Sequence, residues 1–194
     1  MTITVDLYQD SGAVSSGHGT TRISVNNVGW KNSGLDETNS FVYYPLIRPE
    51  VTPFGYSFTM YNYLKISGTY PKGSRMRLRV SGAVDGAPPS GYVGTDKVRL
   101  FYKLTNTYTT PSNAFDGSLI YLPPGVAQTL YPRISTVGPE AATSYTQYMS
   151  ANTTYYTEYL VTQLFVEAGS VAEFGNIGQL NIKVFMDEYE DTDT

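Results

Sequence analysis

The stretch "RMRLRVSGAV", residues 75 to 84, constrains the fold more than any other in the chain. Met76, Leu78 and Val80 alternate with Arg75, Arg77 and Arg79, a period of two that suits a strand with one buried and one wet face and does not suit a helix. "KVRLFYKL" repeats the pattern, setting Val98, Leu100, Tyr102 and Leu104 against Lys97, Arg99, Phe101 and Lys103. In "SFTMYNYLKIS", Phe58, Met60, Leu64 and Ile66 alternate with Thr59, Tyr61, Tyr63 and Lys65, again predicting one buried face. Further strands are predicted at 2–8, 156–167 and 179–186. Only "PEAATSYTQYMS", from Pro139, reads as a short helix, because Ala141 and Ala142 favour one and Pro139 suits a first turn.

Between these runs lie Gly, Pro, Asn and Ser clusters such as "VDGAPPSGYVG" and "NTYTTPSNAFDGS", which supply turn geometry and withhold ladder donors. Many strands joined by such turns, some of them long, predict an all-β fold. We expect a single antiparallel β-sandwich over residues 1–194, on a jelly-roll or Greek-key path, with long loops and at most one short helix. At 194 residues one core can bury roughly 70% of the surface of the unfolded chain.

Several chemistries fall away on composition. With no Cys and one His, disulfides, thiolate nucleophiles and the usual zinc ligand sets are excluded. His18 sits in "SSGHGTT", a Gly and Ser run poorly suited to holding a catalytic base. The glycines are scattered singly and form no phosphate-cradling loop, and the "DG" pairs at Asp85 and Asp116 read as turns better than as calcium ligands. No catalytic residue, cofactor or metal site is expected. Met1 leads into "TITVDLY" without the basic start and apolar run of a signal peptide, so a soluble protein made in the cytoplasm is expected, with no membrane insertion. A hydrolase with dispersed carboxylates shows no positive sign.

Charge is scarce and segregated. Only 15% of the residues are charged, against about a quarter in ordinary domains. Tyr, Thr, Asn and Ser take their place, which fits either extensive contact with partners or plain strand propensity. The net charge of -4 argues against nucleic acid as the main partner. Yet eight of the 13 basic residues lie between Lys65 and Lys103. Arg75, Arg77, Arg79, Lys97 and Arg99 are therefore predicted to form a basic face, either simply solvated or covered by something anionic. The C-terminal "DEYEDTDT" gathers Asp187, Glu188 and Glu190 into an acidic tail over 187–194, frayed in solvent or a counter-surface through which copies tile.

Within the first 45 residues, "GHGTTRISVNNVGWKNSG" holds the sole Trp. It is predicted either as a docking arm with Arg22 in its β-prone piece and Trp30 as anchor, or as a segment whose Trp30 caps the chain's own core. A carbohydrate-binding module competes with assembly, with Trp30, Tyr43, Tyr44, Tyr155 and Tyr156 as stacking platforms for a host surface glycan.

The phrases "VDLYQDSG", "GTTR", "VGWKNSG", "TNTYTTPSNAFDG" and "VFMDEYE" together resemble small virion structural proteins of tailed bacteriophages, particularly phages of aquatic cyanobacteria. The resemblance spans most of the chain. It implies a non-enzymatic subunit of the tail, baseplate or head surface, including capsid decoration, located in the virion. Its expected partners are other virion proteins and further copies of itself in a trimer or ring.

Overall fold

The computed structural model describes residues 2–25, 54–70, 73–83, 98–123, 127–140, 145–150, 152–167 and 179–187. These form strands β1 (Ile3–Ser15), β2 (His18–Ser24), β3 (Phe54–Tyr56), β4 (Met60–Gly68), β5 (Ser74–Ala83), β6 (Val98–Thr105) and β7 (Ile120–Leu122). Then follow β8 (Ala127–Leu130), β9 (Ile134–Ser135), β10 (Tyr148–Met149), β11 (Tyr155–Thr157), β12 (Tyr159–Glu167) and β13 (Gln179–Asp187). No helix occurs among the described residues. In particular, the helix predicted from Pro139 is not formed where it is described: Thr146 bridges Ile134, and Tyr148–Met149 is β10. Thr and Tyr at these positions suit a strand, and Tyr148–Met149 pairs with β5; Ala141 and Ala142 lie outside the described residues.

The protein is a two-sheet antiparallel β-sandwich. Sheet A runs β2-β1-β4-β12-β6-β7, with β11 on β4, β9 on β11 and β3 on β12; sheet B runs β10-β5-β13, with β8 also on β5. After β4 the chain crosses repeatedly between the sheets, into B at β5, β8, β10 and β13 and back into A at β6, β9 and β11. That is the crossing path expected of the long connectors, not a meander.

The alternation in β5 and β6 explains the packing. Met76, Leu78 and Val80 of β5 meet Leu64 and Ile66 of β4 and Leu160 of β12 in one core between the sheets. Burying each such side chain contributes roughly 1.5–3 kcal/mol. In β4 the expectation of one buried face needs correcting, because Tyr61 and Tyr63 on the other side are buried as well. A second layer covers them: Tyr108 and Leu119 from the β6–β7 connection pack with Tyr61, Tyr63, Tyr159 and Val161. The tyrosine rings meet tilted or edge-on, as Tyr61–Tyr159 (5.5 Å between centroids, 88°) and Tyr63–Tyr159 (5.8 Å, 86°) show.

The "SSGH" run is a tight hairpin. Ser15 pairs with His18 across Ser16 and Gly17, both at positive φ, the conformation of a two-residue type I′ turn. Between Ser11 and Val14 the register slips, and Gly19 lies where a Cβ would clash with the Ser11 carbonyl. The predicted arm is thus part of sheet A as far as Val25, which is buried and bonds the Leu7 carbonyl. The rest of it, Trp30 included, lies outside the described residues, as do Lys97, Glu188 and Glu190.

Candidate interface on sheet B

Because Met76, Leu78 and Val80 face the core, Arg75, Arg77 and Arg79 project from the outer face of sheet B. The register sets Asp187, Phe185 and Lys183 opposite them on β13, and Tyr148 of β10 beside Arg75. The Arg75 guanidinium lies 4.2 Å from the centroid of the Tyr131 ring. Arg77 lies 5.1 Å from the Phe185 ring and donates to Asp187 Oδ1 at 3.1 Å. Arg79 is exposed, and Tyr131 and Tyr148, beside Arg75, are 44% and 43% exposed. The four strands carry four cations, Arg75, Arg77, Arg79 and Lys183, against one carboxylate, Asp187. Guanidiniums propped on aromatic rings keep their outward N–H groups free for carboxylates of another surface.

Of the predicted basic face, Arg99 does not share a surface with Arg75, Arg77 and Arg79, and Lys97 lies outside the described residues. β5 pairs with β13, β8 and β10, whereas β6 pairs with β12 and β7 in the other sheet. Leu78 and Leu100 both point into the shared core, so Arg77 and Arg99 point away from each other on opposite sides of the sandwich. Arg99 lies over Phe165, 5.5 Å from its centroid.

Arg22 belongs to a closed network on the outer face of sheet A. Its Nε and Nη2 donate to Asp10 Oδ1 and Oδ2, each at 2.8 Å, and Nη2 also reaches Glu140 Oε2 at 3.0 Å. Tyr159 donates to Asp10 Oδ2 at 2.5 Å. The Asp10 side chain is wholly buried. Burial, reinforced by Asp10, pushes the Tyr159 hydroxyl far above its usual range, so it stays a donor. Burial disfavours the charge on Arg22, but Asp10 more than offsets this and holds the guanidinium ionised. The arrangement fastens β1, β2, β12 and the Glu140 segment together, and its carboxylates are occupied.

Among the expected sugar platforms, Tyr155 is corrected: it is buried in the core, where β11 turns it inward, and its hydroxyl accepts from the Ser150 amide. Tyr156 is half-buried beside Tyr63; Tyr43 and Tyr44 lie outside the described residues. Sequence reading missed two groups altogether, the Asp10 network and a run of rings on sheet A through Tyr56, Phe115, Phe101 and Tyr121. Reading Ser16–Gly17 as a hairpin turn would have placed Arg22 near Asp10, but the register slip between Ser11 and Val14 is what sets the two opposite each other. Nothing in the local sequence brings Phe115 to Tyr56.

No family model, curated protein or solved structure matches this chain. Among the described residues, no group of three or more His, Cys, Asp or Glu side chains is placed to hold a metal ion.

Proposed function

We propose that this chain is a non-enzymatic structural subunit of a tailed-phage virion, built on a jelly-roll type of path and docking through the outer face of sheet B onto an acidic surface in the particle. The observation that carries the docking is the four cations against one carboxylate on sheet B, within a chain whose net charge is -4. The rest of the molecule is therefore acidic, and copies present complementary surfaces to one another, which supports a homo-oligomer as well as a foreign neighbour. The resemblance of the chain to small virion proteins supplies the setting, tail, baseplate or head surface.

The test is incorporation of the variant carrying Arg75→Ser, Arg77→Ser and Arg79→Ser into depleted particles over a salt series. Wild-type incorporation is expected to fall as salt rises, and the variant to incorporate weakly with a flatter salt dependence. Equal incorporation of the two proteins at every salt concentration overturns the reading.

A further inference from the structure

We propose that the outer face of sheet A, at its β6–β7 end, is a carbohydrate-binding site whose platform is Phe115 with Tyr121 and whose polar fringe is Lys103, Asp116 and Ser118. Four rings form a continuous run there: Tyr56–Phe115 at 5.0 Å and 26°, Phe115–Phe101 at 5.2 Å, and Phe101–Tyr121 at 5.7 Å. Most aromatic rings on this face are covered, yet Phe115 is 45% and Tyr121 37% exposed.

The exposure of Phe115 is built in. The fully buried Gln163 donates from Nε2 to the carbonyls of Ala114 (2.9 Å) and Ser57 (3.0 Å), while its Oε1 accepts from the Asp116 amide (3.3 Å). Thr59 and Ser112 clasp each other through backbone and hydroxyl, N to O at 3.0 Å and N to Oγ1 at 3.2 Å. The backbone on both sides of Phe115 is thus fixed, and the ring is held outward against Tyr56. A site prepared in this way spends little entropy on binding.

Next to the ring stands an ordered polar group. Lys103 Nζ lies 2.6 Å from Asp116 Oδ2 and 2.7 Å from Ser118 Oγ, and Ser118 Oγ donates to Asp116 Oδ1 at 2.6 Å. Burial works to raise the Asp116 carboxyl, but the Lys103 and Ser118 hydrogen bonds outweigh it and pull it down to about 2. An ionised acceptor, an ammonium and a hydroxyl beside a flat apolar ring match a pyranose, which has an apolar C–H face and a rim of hydroxyls. Size decides against a protein partner: each exposed side chain offers on the order of 100 Å². The patch of about 200 Å² falls well short of the roughly 800 Å² per partner of a stable protein interface.

The experiment applies the full chain to an array of hexose and N-acetylhexosamine oligosaccharides, with saturation-transfer NMR on those retained. A restricted set is expected to bind. Phe115→Ala and Tyr121→Ala are each expected to weaken binding at least tenfold while thermal unfolding shows the fold intact, and Phe115→Trp to retain it. Should Phe115→Ala fail to fold, Tyr121→Ala decides, since its ring lies at the edge strand. Absence of binding to every glycan, or undiminished binding by the folded alanine variants, overturns the proposal. So does a Phe115→Ala protein that loses particle incorporation without any glycan having bound. Incorporation of the arginine variant is read separately, so failure here leaves the sheet B docking standing, and the converse.

Discussion

The two outer faces of this sandwich solve the same problem in opposite ways. Sheet A buries its outer tyrosines under the β6–β7 connection and ties its charges to one another, Arg22 to Asp10 and Glu140, Arg133 to Glu158, Lys103 to Asp116. Sheet B leaves its arginines at the surface, braced by Tyr131 and Phe185 and by the single carboxylate of Asp187. Side chains of the same type thus serve different ends. Removing the Arg22 cation from sheet A disturbs the fold, and removing one from sheet B disturbs what the fold presents. Stability measurements on matched substitutions separate these outcomes.

Arg22→Ala is expected to have the largest effect, about 3–5 kcal/mol in urea unfolding, because it strands the Asp10 carboxylate in the interior with the Tyr159 hydroxyl as its remaining side-chain partner among the described residues. Arg22→Lys is expected to recover part of the loss, since an ammonium cannot reproduce the two-pronged contact. Combining Arg22→Ala with Asp10→Asn is expected to cost less than the sum of the two single changes, the mark of a coupled pair. A loss under about 1 kcal/mol for Arg22→Ala removes the contrast between the faces.

Gln163→Ala comes second, at about 2–3 kcal/mol, as it leaves the Ala114 and Ser57 carbonyls and the Asp116 amide without their buried partner. Hydrogen exchange checks the mechanism, with faster exchange expected at the Asp116 amide. Unchanged protection there shows that the loop holds Phe115 without Gln163.

The degree to which these features were legible in the sequence follows the same division. β5, β6 and β13 announce themselves because their alternation is set by one buried and one open side, and period two reports that difference directly. β4 misled because both sides are buried, and the tyrosines that look outward in sequence are covered by Tyr108 and Leu119, far along the chain. The short strands β3, β7, β9 and β10 carry two or three residues each, too few for any period to show. For the site, the arginine stripe was visible in outline, but its extension to Arg99 was not justified. Alternation fixes the side of a strand and not the sheet it joins, and β5 and β6 lie in different sheets. The Gln163 contacts and the Phe115 platform depend on loop packing over tens of residues, which leaves no local trace.

The smallest effect is expected from the triple variant with Ser at 75, 77 and 79. The Arg77–Asp187 pair is more than a third exposed on both sides and screened by solvent, so it contributes between 0 and about 1 kcal/mol. The Arg75–Tyr131 contact is exposed as well, at about 0.5–1 kcal/mol. The net change in urea unfolding is expected to be about 1 kcal/mol, and to shrink further at high salt as the pair is screened. This small number gives the incorporation experiment its meaning: a variant that folds nearly as well as the wild type and still fails to join particles has lost a contact, not a fold. A loss as large as that of Arg22→Ala would instead make the arginine face a structural element of sheet B, and the difference between the two faces would disappear.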